Sequence, residues 1–293
     1  MRASWVGQKL RGLARWVAGV SLELLPLPSR ARALETIEEA MVLAVATRRG
    51  PIRFFCPTPL LLARAESMLS KEPDTIRWID GLLPGDVLWD IGANVGVFSL
   101  YAASIPGVSV RAFEPLASNF YVLSRNFQLN GLDSRAVAYC IAFSGHAGLG
   151  VLNVDSAAMG SALSHFGQEG EMSRYARLST PSSAQGMMGF TLDDFIEKFS
   201  PPFPSHLKID VDGLELEILR GAERTLRDQR LRSVMVELSL SDDDQARSGI
   251  DLLATAGLEL VATGLSQGTH PDCAANHLFR RGIVVTGAGT ARA

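Results

Sequence analysis

Five acidic side chains stand where apolar, β-rich runs of this 293-residue chain come to an end. Asp90 closes Val87-Leu-Trp-Asp90, Glu114 closes Ser109-Val-Arg-Ala-Phe-Glu114, and Asp210 closes His206-Leu-Lys-Ile-Asp210. Asp212 follows two positions later, and Glu237 sits at the end of Ser233-Val-Met-Val-Glu237. Carboxylates at strand ends can hold a cation, accept hydrogen bonds from sugar hydroxyls, or take a proton from a weak nucleophile. In an open α/β sheet, strand ends along one edge are where ligands bind. These acids are therefore read as one site.

The turn after Asp90 narrows the ligand. Asp90-Ile-Gly-Ala-Asn-Val-Gly96 leads from a strand to a helix, with Gly92 and Gly96 where the backbone must turn and a ligand must come close. Its glycines fall as G-x-x-x-G, not as the G-x-G-x-x-G that seats a dinucleotide pyrophosphate on a helix N-terminus. An acid at the strand end would repel a pyrophosphate. It suits S-adenosylmethionine, which has no phosphate and carries an ammonium and a sulfonium. Glu114 comes 22 residues after Gly92, at the end of the next strand, where a carboxylate can accept from both ribose hydroxyls.

With that cofactor the chemistry would be methyl transfer, an in-line displacement governed by how the acceptor is positioned. A hydroxyl acceptor is a poor nucleophile at neutral pH, so a nearby base helps. Asp210 is the leading choice for base or orienting group. Asp212 reads equally as a helix-capping residue, and Glu237 is the third acid of this catalytic set. Lys208 and Asp210 share one strand face, so the lysine can pair with an acid there. The acids could also hold a divalent cation through oxygen, but a metal-free site is expected. Of the five histidines none forms a ligand-spaced pair, and His165 and His270 are second-rank bases. Met159, Met172, Met187 and Met188 read as ordinary packing, and Thr191 as a helix N-cap.

The elements that must position these groups alternate as in a parallel sheet covered by helices. Strands are expected at 87–91, 109–114, 136–142, 206–210, 233–238, 258–263 and 276–285, with helices at 95–103, 117–130, 214–227 and 243–256. A Gly-, Ser- and Met-rich stretch at 145–189 reads as an insertion with one or two strands and a mobile substrate loop. Residues 1–70 read as a helical extension broken by prolines, 71–285 as the catalytic domain, and 286–293 as a tail. In the extension, the helical pattern begun at Leu34 runs to Val45, and Arg48-Arg49-Gly50-Pro51 reads as a turn.

Three motifs carry a resemblance to a known family. They are Asp90-Ile-Gly-Ala-Asn-Val-Gly96; Phe113-Glu-Pro115 with Asn119, Asn126 and Leu129-Asn130; and Leu207-Lys-Ile-Asp-Val-Asp-Gly213 with Glu215 and Leu219-Arg-Gly-Ala222. With Val236-Glu-Leu238 and Asn276-His-Leu-Phe279 they resemble the FkbM-type methyltransferases across about two thirds of the chain. The resemblance implies a class I methyltransferase fold, Rossmann-like, with a mostly parallel seven-stranded sheet and helices on both faces. It also implies O-methylation of a sugar, glycolipid or secondary metabolite. Asp90, Gly92, Asn94 and Gly96 would line the methionine end of the cofactor, Glu114 would hold the ribose, and Ile141 and Ala142 would flank the adenine. Ala93, Ser99, Pro115 and Asn119 complete the cofactor-binding set. Asp212 stands where the family usually has Glu, and Ala117 where a Pro is common.

Composition sets the outer bounds. Charge is nearly balanced, 28 basic against 31 acidic residues, which argues against a nucleic-acid partner. Cys56, Cys140 and Cys273 form no C-x-x-C pair and fit a reducing cytoplasm. Trp5, Leu10, Leu13, Trp16, Val17 and Leu24 recur at helical spacing among basic residues. Such a helix docks on protein or lies on an anionic membrane surface, so peripheral contact with a membrane is kept open. The competing functions are a nicotinamide-dependent oxidoreductase and a catalytically silent cofactor-binding assembly module. An N-methyltransferase is set aside, because an Asn-Pro-Pro-Tyr type of signature is absent.

Overall fold

Alternation along the buried strands divides the molecule into two cores. In β3 (Val87–Ile91), Leu88 enters one apolar cluster while Trp89 and Ile91 enter the other, as a period of two requires. Asp90 falls on the Leu88 side, and this parity decides where the site lies.

The computed structural model describes residues 24–132, 134–162, 164–167, 181–239, 243–265 and 274–282. The helical pattern at 5–23, Met172, His270, Cys273 and the tail at 286–293 lie outside the described residues. Two units divide the chain at Val42. In the first, the described helix α1 (Leu27–Ala40) starts on Pro26 and buries no side chain.

The second unit begins at Leu43, one residue into strand β1 (Val42–Thr47), which pairs as a ladder with β2 (Gly50–Phe55) and is joined to it by Arg48 and Arg49. This corrects the helical pattern expected to run to Val45, while the turn expected at 48–51 joins the two strands. The helical pattern stops at Ala40, and Val42-Leu-Ala-Val-Ala-Thr47 takes up the pleated geometry that β-branched residues favour. Arg48 and Arg49 both reach Asp80 Oδ1, at 2.5 and 2.6 Å. The boundary expected at residue 70 falls inside this unit. Helices α2 (Pro59–Glu66), capped by Thr58, and α3 (Pro73–Asp80) follow.

From β3 the chain continues through α4 (Val97–Ala103), β4 (Ser109–Phe113), α5 (Ala117–Leu129) and β5 (Ala136–Tyr139). The insertion supplies β6 (Ala142–Phe143), β7 (Gly148–Val154), β8 (His165–Gly167) and β9 (Ser183–Phe190). Then come α6 (Leu192–Phe199), β10 (His206–Ile209), α7 (Glu215–Arg220), α8 (Glu223–Arg227), β11 (Ser233–Ser239), α9 (Asp243–Thr255), β12 (Leu258–Leu265) and β13 (Ala274–Arg281). Seven strands form one sheet in the order β12-β13-β11-β10-β3-β4-β5. Only β13 in that sheet runs against the others. The seven-stranded, class I arrangement is as expected. The insertion builds more than one or two strands: β7, β8 and β9 join β6 in a separate four-stranded sheet. Met187 is buried there and Met188 exposed, which is ordinary packing.

Chain order runs outward through β4 and β5 on one side of β3 and returns on the other through β10. The topological switch point is therefore between β3 and β10, and ligands bind beyond the carboxyl ends at such a point. The opposite, amino edge is closed by a polar network. Trp78 Nε1 donates to Ser233 Oγ at 2.9 Å; His206 Nδ1 lies 2.6 Å from the same oxygen, and its Nε2 lies 2.9 Å from Asp86 Oδ2. Arg232 completes the network on Asp86.

Two asparagines one helical turn apart, Asn126 on α5 and Asn130 at its C-cap, stitch β2 to this helix. Asn126 accepts from the Phe55 backbone N–H at 2.7 Å and donates to the Val95 carbonyl at 2.8 Å. Asn130 accepts from the Arg53 N–H at 2.9 Å and donates to the Arg53 carbonyl at 2.7 Å. Together they serve β2 as a neighbouring strand would.

Candidate active site

The glycine turn owes its composition to packing as well as to backbone shape. Gly92 has φ +79° and its missing side chain would run into the backbone carbonyl of Asp210. Gly96 has φ +85°, and a Cβ there would meet Leu123 Cδ1 at 2.5 Å. Both hydrogens face protein, so the glycines let β3 and β10 end side by side and let α4 pack on α5. Asn94 between them also has positive φ, +50°.

Around this turn the structure leaves two buried acceptors unused. Asp90 accepts from Ser99 Oγ at 2.5 Å through Oδ2, while its Oδ1 has no hydrogen-bond partner. Asn94 Oδ1 is likewise without one. Orphaned acceptors of this kind cost about 1–3 kcal/mol each unless a ligand supplies donors. An ammonium and ribose hydroxyls are such donors, so the residues present fit S-adenosylmethionine. Burial raises the Asp90 pKa, with Lys208 and Ser99 opposing the rise.

Glu114 is buried among donors. Its Oε2 accepts from the Asn94 N–H at 2.8 Å, and its Oε1 from the Leu116 N–H at 2.9 Å and Asn119 Nδ2 at 3.4 Å. Burial pushes its pKa up to about 7 against these bonds, and the Asp212 charge adds to the rise. Asn119 also binds the insertion, accepting from the Gly160 N–H at 2.7 Å and donating to the Ser161 carbonyl at 3.0 Å. Asn94 Nδ2 donates to that carbonyl at 2.8 Å. Pro115 offers its carbonyl to Gln185 Nε2 at 2.8 Å. Ala142 is buried at the start of β6, and Ile141 packs on the second core.

Of the three acids assigned to chemistry, two stand together. Asp210 takes a 2.5 Å hydrogen bond from Lys208 Nζ, and Glu237 hydrogen-bonds to Asp210. Burial alone would raise the Asp210 pKa, but Lys208 overrides it and holds the carboxyl below its usual range. Glu237 is pushed up to about 8, by the Asp210 charge first and burial second. The pair therefore carries one proton at neutral pH, held on Glu237. Lys208 also lies 4.8 Å from the centre of the Phe98 ring. Asp212 sits at φ +57°, and its charge acts on Glu114, Arg64 and His165. Burial lowers the His165 pKa, with Asp212 and Asp155 opposing. Glu215 accepts from the Val211 and Gly213 N–H groups, both at 3.1 Å, and so shapes the loop carrying Asp212.

Two residues at this edge were missed by sequence reasoning. Arg64 on α2 reaches Gly160, and buried Glu72 accepts from Thr75 Oγ1 and Asn276 Nδ2, both at 3.0 Å. Nothing local marks either as functional, because Gly160 and Asn276 lie 96 and 204 positions from them. Among the described residues no group of three or more potential ligands could hold a metal ion. No helix among them is long and apolar enough to cross a membrane.

Comparison with known proteins gives concordant matches. The family described as Methyltransferase FkbM domain matches residues 90–260. Hexuronic acid methyltransferase AglP of Haloferax volcanii is 28% identical over 200 residues, covering 68% of this chain and 74% of that protein. The 31-O-demethyl-FK506 methyltransferase FkbM of Streptomyces tacrolimicus is 52% identical over 46 residues, 15% of this chain and 18% of that protein. A crystal structure of methyltransferase FkbM from Methylobacillus flagellatus KT aligns with 75% of this chain at 16% identity and a TM-score of 0.47. The chain spans about half of that solved chain, 51%.

Proposed function

The chain belongs to the FkbM family of S-adenosylmethionine-dependent methyltransferases, and from that premise we propose that it methylates a hydroxyl of a sugar, glycolipid or secondary metabolite. The observation that carries this reading is the Lys208–Asp210–Glu237 group, placed across the switch point from the Asp90 turn. A relative named for hexuronic acid favours a sugar-like acceptor.

S-adenosylmethionine, when bound, supplies a methyl group on a positively charged sulfur. Everything else falls to the chain. Asp90 and Asn94 offer acceptors to the ammonium end, and Glu114 takes the ribose hydroxyls. Asp210 accepts a hydrogen bond from the acceptor hydroxyl and aims its lone pair along the line of displacement. Held at low pKa by Lys208, it is too weak a base to ionise a free hydroxyl. It receives the proton once the oxygen turns acidic as the new bond forms. Glu237, already protonated, keeps the second carboxyl of the pair from adding charge.

Calorimetry with S-adenosylhomocysteine and NAD tests the cofactor half. The first should bind in the micromolar range, about −8 kcal/mol, and weaken strongly in Glu114→Ala. Tight binding of NAD alone would refute it. For the chemistry, Asp210→Asn should lower kcat by about 100-fold or more while S-adenosylhomocysteine affinity stays within about threefold. Equal loss of both would make Asp210 a cofactor or folding residue. We extend the glycolipid reading to residues 1–30 as a membrane-surface contact. Vesicle co-sedimentation should fall when they are removed, and unchanged partitioning counts against it.

A further inference from the structure

We infer that Arg64 is the residue that receives the cofactor's carboxylate, gripping the amino-acid end of S-adenosylmethionine from a segment upstream of the family-matched residues. The inference rests on the cofactor reading above and deepens it.

Arg64 lies near the end of α2, and its Nε donates to the Gly160 carbonyl at 2.6 Å. Gly160 and Ser161 are in turn held by Asn119 and Asn94, the two asparagines flanking Glu114. One hydrogen bond therefore docks the guanidinium against the shell of the cofactor site. Gly160 must be small for this: its φ is +84°, and a Cβ would lie 3.4 Å from Arg64 Nε and 3.0 Å from Leu61 Cδ2.

The charges around Arg64 are acidic, yet it pairs with none of them. Asp212, Asp210, Glu114 and Glu72 all favour its charge, in that order, while burial opposes it. Among the described residues the one hydrogen bond of its side chain is to Gly160, and no carboxylate forms an ion pair with it. Lys208 differs, since its ammonium is committed to Asp210. Arg64 is thus docked through Nε on Gly160, with its charge among acids and no carboxylate paired to it among the described residues.

The ligand's own charges match this arrangement. The methionine end of S-adenosylmethionine carries two positive groups and one carboxylate. The acids suit the positive groups and would repel the carboxylate unless a cation stood beside it. A guanidinium fork fits a carboxylate in bidentate fashion, which an ammonium cannot do.

The alternative is that Arg64 merely tethers the insertion through Gly160. Calorimetry of the full chain with S-adenosylhomocysteine and with 5′-methylthioadenosine, which lacks the amino-acid portion, separates the two. Arg64→Met should weaken S-adenosylhomocysteine about 30-fold and leave 5′-methylthioadenosine within about twofold. Arg64→Lys should recover part of the loss, and the second ligand doubles as a check on folding. Equal weakening of both ligands, or none for S-adenosylhomocysteine, overturns the inference. If the unaltered protein binds neither ligand, the cofactor reading itself fails and takes this one with it.

Discussion

Lys208 and Asp210 form a 2.5 Å ion pair across one face of the same strand edge, with the lysine side chain 2% exposed and the aspartate 25%. A buried ammonium left without its partner is costly, and so is the reverse. Lys208→Met should therefore destabilise the protein by about 3 kcal/mol, the lower end of the range because Asp210 keeps contact with water. Adding Asp210→Asn to Lys208→Met should recover at least about 1 kcal/mol in urea denaturation at pH 7. Strict additivity of the two changes would show that they do not stabilise each other.

Glu237 makes stability fall with rising pH. Its folded pKa is about 8 against an ordinary 4.5, so in that window the folded chain keeps a proton that the unfolded chain releases. The stabilisation is complete below about pH 4.5 and is lost as pH rises through 8. Glu237→Gln removes this group's share, whereas Glu114 and Glu215, both near 7, keep theirs. Between pH 5.5 and 8.5 the variant's melting point should drop less than the parent's, by about 2–4 °C. Parallel curves would refute the shared proton.

Gly92→Ala should be far worse than Gly50→Ala. Both glycines have positive φ, +79° and +111°, but only Gly92 faces backbone, whereas a Cβ at Gly50 meets nothing. The left-handed conformation alone costs about 1–2 kcal/mol. Gly50→Ala should lose about that much and keep its activity. Gly92→Ala must also push β3 from β10, so soluble yield and cofactor binding should both collapse. A Gly92→Ala protein with near-normal melting would show that the strand ends can separate cheaply.

Ser233, His206 and Asp86 have the residue types of a hydrolytic triad but sit at the amino edge, closed under Trp78. Ser233→Ala should cost about 1–3 kcal/mol and leave methyl transfer within about twofold. Burial depresses the His206 pKa below 6.5 although Asp86 opposes it. Its stabilisation is present above pH 6.5 and is lost as pH falls through the depressed value, because the unfolded chain takes up the proton first. Trp78 fluorescence should report that acid transition, shifted in Ser233→Ala. Cleavage of a nitrophenyl ester that depends on Ser233 would contradict the structural role.

The large sheet and the Asp90–Glu114 pair were legible because strand periodicity and spacing are local signals. Asp210 and Glu237 were legible as strand-end acids, but their different protonation was not. It depends on Lys208 and on a neighbour 27 positions away, brought close only by the β10–β11 register. Asp212 sits in a backbone turn at φ +57°, and its charge acts on Glu114. Residues 42–45 were misread as helix because a short apolar run cannot declare its period, whereas the turn after them was legible; nothing near β2 announces that its partner is α5. Arg64 was invisible for the same reason, since Gly160 is 96 residues away.

The stitching of β2 by Asn126 and Asn130 bears on how this protein can be cut and recombined. The family-matched stretch starts at residue 90, inside the central strand. A fragment beginning there would lack Ile52, Phe54, Leu61 and Met68 from its first core and would expose one wall of it to water. Hybrids made by exchanging the leading segment between relatives would succeed only where both asparagines travel with the ladder they hold. The leading segment and α5 would have to be exchanged as one piece, although their bonded residues are 77 and 71 positions apart in the chain.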